Sequence, residues 1–445
     1  MTLMDSQFRS VIRQKIADSL ATPLPRLTHR DTRVPDIPNK VVAVIGMRRA
    51  GKTTFLWQLL ADRVMQGTGR EGLLYFGFED ERLAGMSVGD LNLLVEEYYR
   101  LNPEWRDSRR VGFFLDEIQN VPGWETFVRR LLDSEQIDVF VSGSSARLLS
   151  REVATSMRGR AVEARLYPFS FREYLRHHGQ EPAAPVRKIT KAGRSSLDKN
   201  MRDYLVTGGF PEAQNLDRRN REELLKSYVD VVMLRDVIER HAVSHPVALR
   251  WMVRQLLGNA AGAFSVNKFH GDLKSQGIAV GKDTLHEYLG HLEDTFLLRL
   301  ISVATNSERR RMVNPRKVYP IDPGLIPIFD RSGKANLGHA LETAVMLELD
   351  RRGGEVAYVH TPGGYEVDFL VRLPDGEEEL IQVCASLDES VTREREVRAL
   401  LDASIQHPRA TLRIVSLDIP PRLDIPQEIT VSAAADWMLA SEPGE

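Results

Sequence analysis

Apolar residues along this chain recur with two different periods, and the alternation between them predicts its architecture. Val41-Val42-Ala43-Val44-Ile45 is a continuous apolar run of strand length, and Thr54 to Met65 carries its apolar residues at helical spacing. The same alternation continues through a strand at Leu73-Leu74-Tyr75-Phe76-Gly77-Phe78, a helix near 88–101 and a strand from Val111 to Leu115. A helix near 123–133 and a strand from Ile137 to Val141 follow. Apolar strands separated by amphipathic helices predict a parallel sheet covered on both faces. A short helix over 6–20 and a connector containing Pro23, Pro25, Pro35 and Pro38 precede this pattern. Residues 167–240 read as helical, with a break at Thr207-Gly208-Gly209-Phe210-Pro211. A helix from Val266 to Lys274, a turn at 277–281 and a helix capped by Asp283 or Thr284 and running to about Phe296 come next. Two strands, Leu297 to Val303 and Lys317 to Ile321, then flank a loop carrying Arg309-Arg310-Arg311, an order that outlines a winged helix. From about 336 the chain returns to mixed α/β.

These patterns divide the 445 residues into an N-terminal helix and Pro-rich connector (1–38), a P-loop core (39–165), a helical extension (166–245), a winged-helix-like segment (246–330) and a C-terminal α/β domain (331–445). No run of about 18 apolar residues is present, which predicts no membrane span. The first residues lack the apolar core of a signal peptide, and the single cysteine, Cys384, excludes an intrachain disulfide and a cysteine-built zinc cluster. A cytoplasmic protein is expected. The net charge of −2 conceals an asymmetry. From Ala335 onward there are 9 arginines, no lysine and 21 acids, a net of −12, so the remainder carries +10. Nucleic-acid contact is therefore expected in the first three quarters, with Arg309, Arg310 and Arg311 as candidates and Arg316 and Lys317 beside them. The acidic C-terminal domain is a candidate surface for a protein partner.

The candidate chemistry sits at the ends of the predicted strands. Gly46-Met47-Arg48-Arg49-Ala50-Gly51-Lys52-Thr53 fits the phosphate-binding P-loop pattern, and Thr54 follows it into the helix. The glycines let backbone amides approach a phosphate chain, and the helix N-terminus adds its dipole. Lys52 is expected on the β- and γ-phosphates of a nucleotide, and the Thr53 hydroxyl on Mg²⁺. The strand Val111–Leu115 ends in Asp116 and Glu117, the pattern of a Walker B: Asp116 is expected to hold Mg²⁺ and Glu117 to orient the attacking water. Ser144 is the expected sensor of the γ-phosphate, with capping of the next helix as the plain alternative. Arg160, with Arg158 beside it, is the candidate arginine finger. Because such an arginine often comes from a neighbouring subunit, a homo-oligomer is among the expectations.

Several segments together resemble one family. They are the P-loop, Phe78-Glu79-Asp80-Glu81-Arg82-Leu83, Leu115-Asp116-Glu117-Ile118-Gln119, Gly143-Ser144-Ser145, Gly159-Arg160, Pro168-Phe169-Ser170-Phe171-Arg172-Glu173-Tyr174 and Gly208-Gly209-Phe210-Pro211. The chain is similar over about 35–430 to the AAA+-type ATPases of bacteria and archaea in which a P-loop module precedes a C-terminal domain of unknown function. The resemblance implies ATP rather than GTP, a winged helix and a restriction-endonuclease-like C-terminal domain. It points there to Glu342, Asp368, Gln382 and Cys384. A PD-(D/E)xK nuclease uses acids that bind Mg²⁺ and a lysine. Here Gln382 stands at the second acid and Cys384 at the lysine, and no lysine follows Lys334. The expectation is a nuclease-like fold without nuclease activity. Three functional readings follow: an Mg²⁺-dependent ATPase acting on nucleic acid or a protein partner, a nucleotide-controlled binding switch with negligible turnover, and, weakest, an ATP-dependent nuclease.

Overall fold

In the computed structural model, residues 3–35, 37–143, 159–183, 188–330 and 336–440 are described. The chain forms two compact units, Met1–Tyr167 and Pro168–Glu445.

The first unit opens with helix α1 (Leu3–Ala21), which packs on α3 (Asn92–Leu101) and β2 (Leu73–Gly77). Its core is a parallel sheet in the order β2-β3-β4-β1-β5, formed with β1 (Val41–Ile45), β3 (Val111–Asp116), β4 (Ile137–Gly143) and β5 (Ala161–Arg165). Helices α2 (Lys52–Met65) and α4 (Trp124–Ser134) connect strands of this sheet. The continuous apolar runs of β1 and β3 are fully buried, as strands covered on both faces require. Phe55, Leu56 and Leu60 of α2 pack against Val42, Val44, Phe114 and Phe140, and the last two rings stack at 4.6 Å. In a parallel sheet all strands end on the same edge. The ends of β1, β2, β3 and β4 therefore bring Gly46, Glu79, Asp116 and Ser142 to one edge, although they are scattered through about 100 residues of sequence.

The second unit begins with α5 (Phe171–His177), α6 (Lys191–Thr207) and α7 (Arg218–Val231), which continues into a π-helical stretch at Val232–Glu239. The break expected near Gly208 is a packed node. Gly209 N donates to Asp322 Oδ2 at 2.6 Å, Gly324 N donates to Asp322 Oδ1 at 2.8 Å, and Phe169 N donates to the Gly209 carbonyl at 2.7 Å. A Cβ at Gly208, where φ is 75°, would lie 1.8 Å from Asp322 Oδ1.

Helix α8 (Pro246–Gly258) leads into β6 (Ala263–Phe264), α9 (Val266–Ser275), α10 (Lys282–Asp294) and β7 (Leu298–Ile301). Two features differ from expectation. Arg309, Arg310 and Arg311 lie on a short helix, α11 (Glu308–Val313), capped by Ser307, rather than on an open loop. Strand β8 (Arg316–Pro320) is the centre of an antiparallel sheet, β6-β8-β7, so Lys317 is 3% exposed and is no surface contact for phosphate.

After the four-residue helix α12 (Ile326–Phe329), helix α13 (Leu337–Arg351) is buried over nine of its residues. It packs on a five-stranded sheet in the order β13-β12-β11-β10-β9. The strands are β9 (Glu355–His360), β10 (Glu366–Arg372), β11 (Glu378–Ser386), β12 (Thr411–Asp418) and β13 (Ile429–Ala433). Helices α14 (Ser390–Ser404) and α15 (Ala434–Leu439) complete this part. The β9–β10 register shifts between Val367 and Leu370. Val367 consequently joins one core cluster while Phe369, two residues on, joins the other, and Asp368 falls inside the irregularity.

Candidate nucleotide site

The loop after β1 has the backbone a phosphate cradle needs. Arg49 (φ 69°) and Gly51 (φ 99°) both occupy the left-handed region, and Gly51 immediately precedes the N-terminus of α2. Gly46 passes so close to the chain after β5 that a Cβ there would lie 2.1 Å from the Leu166 carbonyl oxygen. Gly46→Ala should therefore displace the loop and weaken nucleotide binding at least tenfold, measured by titration with a fluorescent ATP analogue. Met47 and Ala50 are fully buried and anchor the loop, whereas Thr53 and Thr54 are exposed on the first turn of α2. Lys52 is 6% exposed, and its ammonium donates to the Gly46 and Met47 carbonyls at 3.0 and 3.1 Å. The strand-turn-helix thus stores a cation among its own carbonyls, at the point where the dipole of α2 is positive.

Asp116 is the hub of the acidic side. Thr53 Oγ1 donates to its Oδ2 at 2.8 Å, and the Tyr75 hydroxyl donates to the same oxygen at 2.7 Å. Ser142 Oγ donates to Oδ1. Burial is the largest reason the Tyr75 phenol is pushed above its ordinary pKa, and the Asp116 charge adds to it, so Tyr75 stays a donor. Hydroxyl and carboxylate oxygens side by side are the hard donors Mg²⁺ takes, usually one or two from protein with the rest from water and phosphate, so the residues present fit that ion. Glu117, next along, has left-handed backbone (φ 53°), a conformation that costs about 1–3 kcal/mol unless its surroundings enforce it. They do so here: Glu117 N donates to Ser142 Oγ at 2.9 Å, and Gln119 Nε2 donates to Glu117 Oε2. Burial raises the Glu117 pKa above the usual carboxylate value, with the Lys52 charge opposing it. A cavity of about 510 Å³ opens beside this cluster, lined among others by Lys15, Thr53, Tyr75, Glu79, Arg82 and Asp116.

Not every expected residue arrives at this edge. Ser144 and Arg158 lie outside the described residues. Arg160 precedes β5, its carbonyl accepting from Val41 N at 2.8 Å, which places it at the sheet edge opposite the phosphate loop. Its guanidinium pairs with Asp133. No contact with the nucleotide site of its own chain follows from that position.

Three residues of the site carried no signal in the sequence. Tyr75 and Ser142 look like ordinary strand positions, and only the strand order brings them to Asp116. Arg30, in the Pro-rich connector, is 5% exposed and donates to the Ala50 carbonyl at 3.0 Å, bracing the loop from behind. Gln58 of α2 holds the backbone of Arg30 through a pair of bonds at 2.7 and 3.0 Å.

The AAA domain matches residues 38–175, and a domain of unknown function matches residues 198–333. An uncharacterized protein of Methanocaldococcus jannaschii is 35% identical over 379 residues, covering 84% of this chain and 81% of its own length. An uncharacterized protein of Haemophilus influenzae is 30% identical over 336 residues, covering 75% and 80%. Among solved structures, C. elegans PCH-2 is 13% identical and overlaps 50% of this chain and 61% of its own at a TM-score of 0.27, too slight a likeness to carry an argument. No helix among the described residues is long and apolar enough to cross a membrane. With its P-loop edge, its five-stranded parallel sheet and relatives aligned along most of its length, the chain belongs to the AAA+ P-loop family that it shares with these archaeal and bacterial proteins.

Proposed function

We propose that the protein binds MgATP at residues 46–54 and hydrolyses it, and that turnover drives a conformational change on nucleic acid or a protein partner. The observation that carries this reading is the convergence of Thr53, Tyr75 and Ser142 on Asp116, with the Lys52 charge acting on the adjacent Glu117. In this reading Lys52 leaves the Gly46 and Met47 carbonyls for the β- and γ-phosphates, and Thr53 and Asp116 hold Mg²⁺. The ion, when bound, neutralises charge on the transferred phosphoryl group. Glu117 orients the attacking water and accepts its proton. Arg160, half-buried at the far edge of the sheet, acts only if a neighbouring copy presents it.

One observation favours a second reading, a nucleotide-controlled switch with negligible turnover. The Gln119 amide donates to Glu117 Oε2 and favours the charged carboxylate, which weakens it as a base while that bond stands. A partner that draws Gln119 away would turn hydrolysis on. For the partner, we propose nucleic acid at α11, where Arg310 and Arg311 line a cleft of about 1070 Å³ together with Arg372 and His407, with Glu355 and Glu378 also on its wall. Arg311 also pairs with Glu308 at 3.3 Å, so the patch is partly neutralised from within. A protein docking on the acidic C-terminal domain is the alternative.

The test is steady-state phosphate release by wild type and Lys52→Ala, with and without DNA or RNA. The expected result is Mg²⁺-dependent turnover that Lys52→Ala lowers at least a hundredfold. Background turnover under every condition, with MgATP still bound, selects the switch. Stimulation by nucleic acid that disappears when Arg309, Arg310 and Arg311 are changed to alanine places the partner at α11.

A further inference from the structure

The acids that the resemblance singled out in the C-terminal domain come together in the structure, and a lysine stands among them. It comes from an unexpected place. Lys317 of β8, before the lysine-free tail begins, places its ammonium 3.1 Å from Glu342 Oε1, 2.8 Å from Glu366 Oε1 and 3.0 Å from Asp368 Oδ1. The sequence excluded a lysine only from the segment after Lys334, and β8 delivers one from outside that segment.

A divalent metal is the group that a nuclease-like fold implies here, and the residues do not fit it. Asp368 Oδ1 is taken by Lys317, and its Oδ2 accepts from Val383 N at 3.0 Å. Glu342 Oε1 accepts from both Lys317 and the Tyr319 hydroxyl, the latter at 2.9 Å. Gln382 turns its carbonyl oxygen to Asp368 N at 3.0 Å and its amide towards Glu366 and Glu396, so that oxygen is not offered to a cation. Cys384 is buried and its thiol pKa is pushed up to about 12, which keeps it protonated. Among the described residues, no group of three or more histidine, cysteine or acidic side chains is placed to hold a metal ion. The irregularity in β10 turns Asp368 towards Lys317, and burial in the centre of its sheet leaves the ammonium no water to fall back on.

We infer that Lys317 is the resident cation of this acid cluster: its ammonium takes the place of a divalent metal, and the centre is a metal-independent joint between β8, α13 and β10. A buried ammonium is tolerated only when carboxylates surround it, and carboxylates this close together need a positive charge between them. Burial works against the charge, but Asp368, Glu342 and Glu366 together raise the Lys317 pKa above its ordinary value. On Glu342, burial followed by repulsion from Asp368 pushes the pKa upward, and the Lys317 ammonium opposes that rise. The cavity of about 890 Å³ in front of the cluster is lined by Glu342, Glu366, Asp368, Asp388, Glu389 and Glu396 against Arg395, and presents a surface that repels a phosphate backbone.

Two measurements on the full-length chain test this. In the first, thermal unfolding without nucleotide is followed with and without 1 mM Mn²⁺. No shift attributable to the cluster is expected; a rise of several degrees that Asp368→Asn removes would overturn the inference. In the second, Lys317→Met is expected to lower the unfolding midpoint by about 10 °C, because it strands buried carboxylates. Lys317→Met combined with Asp368→Asn is expected to recover at least half of that loss, since the Asn amide can donate where the ammonium did. A double variant no more stable than Lys317→Met shows that the lysine is not there to balance charge. If Lys317→Met yields no folded protein, soluble folded double variant is the supporting result, and its absence the opposing one.

Discussion

Glu117→Gln leaves MgATP binding within about threefold of wild type and lowers phosphate release by about 10²–10⁴-fold, the range lost with a general base. The substitution keeps the shape of the side chain and can keep a hydrogen bond with Gln119, while the left-handed backbone at 117 is held by Ser142 through the main chain and is untouched. Only the capacity to accept a proton disappears. Equilibrium binding of a fluorescent ATP analogue, alongside phosphate release, separates the two effects. A variant that hydrolyses ATP no more slowly than wild type would remove Glu117 from the chemistry. The pH profile gives a second check. Burial holds the Glu117 pKa above the ordinary carboxylate value, and a base must be deprotonated to act, so activity falls on the acid side at a higher pH than a solvent-exposed glutamate would give. Because the Gln119 amide favours the charged form, Gln119→Ala should move that limb further upward while freeing the carboxylate.

Asp322→Ala destabilises the second unit by about 3 kcal/mol or more, through loss of two hydrogen bonds to a buried carboxylate. Gly209 N and Gly324 N, the donors at 2.6 and 2.8 Å, would be stranded in a site where Asp322 is 1% exposed. The same residue sets a pH dependence. Burial raises its pKa to about 7, with the two backbone donors opposing the rise, whereas an unfolded aspartate titrates near 3.9. A raised folded-state pKa means that the protonated form favours the native state. The contribution is therefore fully present below about pH 4 and is lost as pH rises through 7. Denaturant unfolding at pH 5, 6, 7 and 8 checks the sign: this contribution to stability should fall across that series in wild type and be absent in Asp322→Asn. Invariant stability in wild type would show that the backbone donors outweigh burial and hold Asp322 ionised.

The two sites differ in how much of them could be read in advance. The phosphate loop is eight consecutive residues between an apolar run and an amphipathic helix, and Asp116-Glu117 terminate another apolar run. Both are features of near neighbours in the chain, and the periods of 2 and 3.6 residues mark which element each one ends. The α/β class was legible for the same reason. Arg309–Arg311 were legible as charge, but not as the short helix they form, because six residues bounded by a Ser cap and an Asn leave little periodicity to read. Ser142, two residues before the expected Ser144, is bonded to Asp116, while Ser144 lies outside the described residues and Arg160 precedes its strand, away from the phosphate loop.

By itself, then, the sequence determined the parallel α/β core, the phosphate loop and its acidic partner strand, because local spacing and hydrophobic period carry that information. Tertiary structure alone decided what surrounds them. Tyr75 reaches Asp116 across 41 residues, Arg30 reaches Ala50 across 20, and Lys317 reaches Glu342 and Asp368 across 25 and 51. The physical reason is that a buried charge is answered by whichever opposite charge or hydrogen-bond partner the packing places beside it. That choice depends on strand order and register, which no local window of the sequence contains.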